Sequence, residues 1–261
     1  MRLALFGSPV ARSLSPAIHT AALEAAHIAG SYDAIEVDAA GLAGAIDELR
    51  RGTLDGANVT MPHKQLACEL SDRGTESAAR AGAANTLVRV GASVVGHNTD
   101  VSGIASAWRA ARLDPEGPVL VLGAGGAAAA ALVALEGRPR WVSARTEGAA
   151  SQLIDAVGVA ARVTPFGDGV EGATVVNATP LGMDGETLPE QVLARCRGLF
   201  EMAYTSGRTL AEQAVAAAGM PTSSGVQMLV AQAADSFRLW TGVEAPLDAM
   251  NAAVRGLLTN P

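Results

Sequence analysis

Three groups of residues in this chain could do chemistry. The first is a glycine turn. Val119-Leu120-Val121-Leu122 reads as a buried strand, Gly123-Ala124-Gly125-Gly126-Ala127-Ala128 follows at once, and an alanine-rich run to Leu135 should be helical. Strand, tight turn and helix open a dinucleotide-binding unit. Gly123 permits the sharp turn, Gly125 lets the backbone approach a pyrophosphate, and the helix N-terminus offers free N–H groups and a positive dipole end. Ala128 stands where the fingerprint has its third glycine and still allows close packing. The same residues also fit a plain glycine turn in an α/β domain.

The second group is Ser13-Leu14-Ser15-Pro16. Ser15 is the expected N-cap of a helix with Pro16 in its first turn, so two hydroxyls would meet where a loop enters a helix. The blander reading makes Ser15 only a cap and Ser13 only a loop residue. The third group is Lys64, Asn85 and Asn98-Thr99-Asp100. Lys64 follows a strand ending at Thr60, where open α/β sheets bind ligands. A lone lysine is more often a solvated charge, and Asp100 alone would serve as the cap of a helix over 102–108.

The elements that must hold these residues alternate. A strand over 2–6 leads through Gly7-Ser8-Pro9 to a helix reaching about His27. A strand over 32–37, a helix over 39–51 and a strand into Thr60 follow, and Pro62 stops that strand before Lys64 begins a helix. Residues 85–90 and 94–100 read as a hairpin about Gly91-Ala92-Ser93, followed by a helix over 103–111. The second half continues with strands at 119–122, 140–143, 162–165, 173–177 and 198–204. Its helices run from about 127, over 148–157 and over 209–218. Helices over 227–241 and 246–258 close the chain. Such alternation predicts an α/β protein with a doubly wound parallel sheet of Rossmann type beside an N-terminal α/β domain. The expected division is 1–101 plus 226–261 for the first domain and 102–225 for the second, with a cleft between them and hinges near 101–103 and 221–225.

The whole-chain properties narrow the function. The 261 residues carry a net charge of −7, which argues against nucleic acid or an acidic membrane as partner. Hydrophobic residues make up 49% and aromatics only 3%, so the core must be built of Ala, Val and Leu. Cys68 and Cys196 lack metal-ligand spacing and read as unpaired thiols in a reducing cytoplasm; no metal site is expected. The N-terminus reads as a first strand rather than a signal peptide, and no segment is long and apolar enough to span a bilayer.

Seven motifs in order give the chain its resemblance to the shikimate dehydrogenases. They are Gly7-Ser8-Pro9-Val10 with Ser13-Leu14-Ser15-Pro16 and His19; Asn58-Val59-Thr60-Met61-Pro62-His63-Lys64; Gly82-Ala83-Ala84-Asn85-Thr86; Gly96-His97-Asn98-Thr99-Asp100; Gly123-Ala124-Gly125-Gly126-Ala127; Asn177-Ala178-Thr179-Pro180-Leu181-Gly182-Met183; and Met228-Leu229-Val230-Ala231-Gln232-Ala233-Ala234. The resemblance implies reversible reduction of 3-dehydroshikimate to shikimate by NADPH, a step of aromatic amino-acid (chorismate) biosynthesis. It implies that Ser13 and Ser15 bind the substrate carboxylate, that Thr60, Asn85 and Gln232 bind ring hydroxyls, that Tyr204 lines the site, and that Lys64 and Asp100 form the catalytic pair. It places NADP on Glu76, Gly123, Ala124, Gly125, Gly126, Ala127, Arg145, Thr146, Thr179, Met202 and Gly225. A homodimer stays open. Such a pair has a physical purpose: the oxygen of a secondary alcohol must lose its proton when the carbon gives up hydride, and regain one in reverse.

The chain departs from that pattern in places. Arg145 and Thr146 follow the second Rossmann strand, but Ala144 stands for a usual Asn, and Ala149 or Ala150 where a second basic residue would fall. Neither Ala144 nor Glu147 in the following turn is the strand-end acid that an NAD site wants. Arg145 can bind a phosphate and stack on adenine, so NADP preference is expected with weaker discrimination. Glu201 replaces a common Asp, Thr205-Ser206 a common Asn-Pro or Asp-Pro, and Gln227 a common Gly. Met183 and Met202 could also lie near the nicotinamide. The alternatives are a quinate/shikimate or aminoshikimate dehydrogenase using NAD(P), and a non-catalytic shikimate-binding paralogue.

Overall fold

Two six-stranded sheets organise the chain in a computed structural model that describes residues 1–259 apart from 147 and 206. Each belongs to its own compact unit, one formed by Met1–Gly103 with the C-terminal segment from Leu229, the other by Ile104–Met228.

The first unit runs β1 (Arg2–Gly7), α1 (Ser15–Ala25), β2 (Ser31–Glu36), α2 (Ala39–Arg51), β3 (Gly56–Val59), α3 (Lys64–Leu70), β4 (Arg73–Gly74), α4 (Glu76–Ala81), β5 (Thr86–Val90), β6 (Ser93–His97) and the start of α5 (Thr99–Ala110). Its sheet has the order β2-β1-β3-β5-β6-β4. β1 lies parallel to β2 and β3, whereas β5 is antiparallel to both β3 and β6. The helix ends show why the chain folds this way locally. The Asp38 carboxylate accepts from Gly41 N at 2.8 Å and starts α2, and Gly52, at φ 77°, ends it. The buried stripe Leu42, Ala45, Ile46 and Leu49 then packs on Phe6, Ala57, Val59 and Leu87 of the sheet.

The second unit continues from α5 through β7 (Val119–Leu122), α6 (Gly126–Ala134), β8 (Arg140–Ser143), α7 (Ala149–Val157), β9 (Arg162–Val163), β10 (Ala173–Asn177), α8 (Glu190–Arg195), β11 (Cys196–Glu201), α9 (Leu210–Ala217) and β12 (Thr222–Ser223). α10 (Gly225–Thr241) begins here, and α11 (Leu247–Thr259) packs against α1 in the first unit. The second sheet is parallel throughout, in the order β12-β11-β10-β7-β8-β9. Strand order reverses between β7 and β10, the switch point at which doubly wound sheets take ligands beyond the strand ends. The α6 residues Ala128 to Val133 are all buried, as a helix of small side chains against this sheet requires.

Several local expectations need correction. Ser15 does not cap α1: the N-cap is Leu14, in helical backbone, and Ser15 is the first helical residue. No side chain caps α1 from that position, and the Ser13 hydroxyl accepts from Ser15 N at 3.2 Å. Asp100 is not a cap either, because α5 begins at Thr99 and Asp100 lies in its first turn. β11 stops at Glu201, leaving Met202 to Tyr204 outside the strand, and β9 spans only Arg162–Val163. Glu147 and Ser206 lie outside the described residues. Among the described residues no helix is long and apolar enough to cross a membrane, and no cluster of His, Cys, Asp or Glu could hold a metal.

Candidate functional site

Pro62 stops the chain just beyond β3, and Lys64 opens α3 there, half-buried, with its backbone oxygen held by Ala84 N at 2.8 Å. Its ammonium donates to Asp100 Oδ2 at 2.6 Å, and the carboxylate side chain is only 5% exposed. The other carboxylate oxygen accepts from Asn85 Nδ2 at 2.9 Å. Asn85 is itself fixed: its Oδ1 accepts from Thr99 N at 2.7 Å, so its amide nitrogen faces Asp100 and Gln232 Oε1, the latter at 3.2 Å. An ammonium, a carboxylate and two amides thus converge from α3, α5, the entry to β5, and α10. A nearly dry carboxylate with a hydrogen-bonded cation beside it can hold an alcohol and carry its proton.

Behind this pair lies a buried polar layer. Asn58, on β3, donates from Nδ2 toward Asn85 O, Thr86 Oγ1 and Ser236 Oγ at 3.0–3.1 Å, and its Oδ1 accepts from Tyr32 Oη at 2.7 Å. Thr86 and Ser236 hydroxyls lie 2.8 Å apart, and Thr99 Oγ1 is 3.1 Å from each. Every member is buried, so the layer can orient Asn85 and Asp100 but exchanges little with water. Asparagine amides break the hydroxyl chain, and the layer holds rather than conducts. His19 stacks on Tyr32 with centroids 4.4 Å apart; burial lowers its pKa to about 3, opposed only by the Asn58 side chain. Burial likewise raises the Tyr32 phenol well above its ordinary value. The sequence did not single out Tyr32, Asn58, Thr86 or Ser236 for a role. The available signal was Asn58 itself, a polar residue between Ala57 and Val59 in a wholly buried strand, which must find partners.

Of the other residues expected at the substrate, Ser13 is half-buried and Ser15 buried at the start of α1, and Thr60 follows β3 with its N–H on Phe6 O. Tyr204 belongs to the second unit, in the segment after β11. Exposed Glu76 opens α4 and makes no side-chain hydrogen bond among the described residues.

The second unit collects most of the expected nucleotide residues. Gly123 ends β7 at φ 115°, and a Cβ there would lie 2.8 Å from Ala178 O, beyond β10. Only glycine serves where the two strands meet at the switch point. Gly125 is the N-cap of α6, has no capping side chain, and a Cβ on it would meet open space. Uncapped N–H groups and an open approach fit a pyrophosphate. Ala124, Gly126 and Ala127 complete that turn. Arg145 and Thr146 stand exposed beyond β8, and Arg145 makes no ion pair among the described residues. Thr179 Oγ1 donates to Asn177 Oδ1 at 2.6 Å, Met202 N donates to Asn177 O at 3.2 Å, and a Cβ on Gly225 would collide with the carbonyls of Met202 and Ala203. Thr179, Met202 and Gly225 thus adjoin one another beside β10 and β11.

Comparison with known proteins identifies the family. Residues 5–87 match the family described as shikimate dehydrogenase substrate binding domain, and residues 225–255 the shikimate 5'-dehydrogenase C-terminal domain. The chain is 36% identical to a shikimate dehydrogenase (NADP(+)) of Thermus thermophilus, across 99% of each chain, and 38% identical to that of Rubrobacter xylanophilus, across 97% of this chain and 94% of the relative. The crystal structure of a Thermus thermophilus shikimate 5-dehydrogenase in complex with NADP(H) and shikimate superposes with a TM-score of 0.89, at 35% identity over 98% of this chain and 99% of that one. The chain belongs to the shikimate dehydrogenase family.

Proposed function

We propose that this protein is an NADP-dependent shikimate dehydrogenase that reduces 3-dehydroshikimate to shikimate reversibly. The observation that carries the reading is the Lys64–Asp100 pair, closed to 2.6 Å and braced on its far oxygen by Asn85. Lys64 and Asp100 position the reacting oxygen and exchange its proton. In the reducing direction Lys64 faces the charge that grows on the carbonyl oxygen. Asn85, Gln232 and Thr60 hold ring hydroxyls, Ser13 and Ser15 the carboxylate, and Tyr204 a further wall. NADPH, when bound, supplies the hydride. The Gly123–Gly126 turn and the α6 N-terminus would hold its diphosphate, Thr179, Met202 and Gly225 the segments around it, Glu76 a further contact, and Arg145 with Thr146 the 2′-phosphate.

Steady-state oxidation of shikimate with NADP tests the reaction, and kcat/KM for NADPH against NADH tests Arg145. The expected outcome is turnover with NADPH preferred. Faster turnover of quinate with NAD would reassign the substrate, and shikimate binding without turnover on either cofactor would make the protein a sensor. Cys68 and Cys196 are both free, which supports a reducing, cytoplasmic setting.

A further inference from the structure

Glu201 ends β11 with its side chain wholly buried, and the proton chemistry of the Lys64–Asp100 pair does not use it. Its Oε1 accepts from Asn177 Nδ2 at 2.7 Å and from Ala203 N at 2.9 Å, and its Oε2 from Thr209 Oγ1 at 3.2 Å. One carboxylate therefore grips three segments: the end of β10, the bend after β11, and the N-cap of α9. Asn177 passes the restraint on, since its Oδ1 accepts from Thr179 N and Oγ1, and its Nδ2 also donates to Leu181 O at 2.8 Å. The Met202-Ala203 bend is held from the other side by Gly225, where no Cβ fits.

We propose that Glu201 is a positioning residue for the nucleotide: its carboxylate fastens the 177–181 turn, the 202–203 bend and the Thr209 cap together, and so sets the walls of the cofactor site. This rests on the functional reading above. All of the partners named for Glu201 are donors, which an ionised carboxylate satisfies in full. A protonated Oε2 would have to donate to Thr209 Oγ1, which already accepts from Glu212 N at 3.2 Å and would lose the acceptor for its own proton. Burial pushes the Glu201 carboxyl up to about 7, with Glu212 adding to the rise and the three donors opposing it. The charged groups on the adjoining segments are Glu212 and Arg208 on one side and Asp184 and Glu186 on the other, and no histidine lies between 104 and 228. The grip is therefore charge-assisted above neutrality and weaker below it.

The test compares wild type, Glu201→Gln and Glu201→Ala. NADPH dissociation constants are read from nicotinamide fluorescence and shikimate dissociation constants from calorimetry. Loss of hydrogen bonds to a charged group predicts NADPH binding about 10-fold weaker or more in Glu201→Ala, with shikimate binding within about 2-fold of wild type. Glu201→Gln should bind NADPH about 3–10-fold more weakly at pH 8 and approach wild type at pH 6, a ratio that cancels the titration of the cofactor's own phosphate. Should Glu201→Ala not fold, the Glu201→Gln ratio decides alone. Unchanged NADPH binding overturns the proposal, as does equal weakening of both ligands, which would mean general damage. Wild-type turnover of shikimate in the same buffers checks the functional reading separately, so its failure is told apart from this one's.

Discussion

Asn85 decides which way the dyad faces. A backbone donor, Thr99 N, claims its carbonyl oxygen, and this turns the amide nitrogen toward Asp100. Asp100 then commits one oxygen to a neutral amide and the other to the Lys64 ammonium. On the proposed function Lys64 is the group that meets developing charge, so Lys64→Ala should lower kcat by about 10²–10⁴-fold while KM for shikimate changes much less. Steady-state kinetics read both, and a loss confined to KM would make Lys64 a binding residue. At this scale position alone left Lys64 a surface charge and Asp100 a helix cap, and only the resemblance of the motifs around Thr60, Lys64, Asn85 and Asp100 set the two against each other. What braces them was not legible. Asn58 meets Ser236 across 178 positions of sequence, a separation on which no local pattern bears.

Helices bring these residues together, and one close crossing governs the fit. A Cβ on Gly103 in α5 would lie 2.8 Å from Gln232 Cβ and 3.0 Å from Gln232 N in α10. Gly103→Ala should therefore push Gln232 off Asn85 and Thr99, raising KM for shikimate several-fold and costing about 1–3 kcal/mol of stability. Shikimate affinity and urea unfolding would both report it; an unaltered KM would show that the two helices can part without harm to the site. The helices other than α4 and α8 were readable because their apolar periods are plain or their starts are marked, as by Pro62 before α3. β4, β12, α4 and α8 escaped because two-residue edge strands and six-residue helices carry too few positions for any period. Ser15 misled for a physical reason: a serine before proline suits the cap, but Leu14 already has helical backbone, so the helix starts one residue earlier and Ser15 falls inside it.

Across the whole molecule one buried group in each unit answers acid in the opposite sense to the other. His19, in the first unit, has its pKa lowered from 6.5 to about 3, so its neutral burial favours the fold above pH 6.5 and loses ground as pH falls toward 3. Glu201, in the second, has its pKa raised from 4.5 to about 7, so it favours the fold increasingly as pH falls through 7 toward 4.5. Between pH 7 and pH 5 each contributes about 2 kcal/mol, with opposite sign. Relative to wild type, His19→Phe should therefore gain stability on going from pH 7 to pH 5, and Glu201→Gln should lose it. Urea unfolding at the two pH values measures both, and parallel curves for wild type and His19→Phe would mean that His19 is not held neutral. The scarcity of aromatic rings makes one further experiment possible. Trp108 and Trp141 lie in the nucleotide half, whereas Trp240 lies against His19 and Tyr32. With the first two changed to phenylalanine, the chain would emit from a single indole lodged in the substrate half. That glow, followed beside the ellipticity of all the helices, would tell whether the halves melt in one step or in succession.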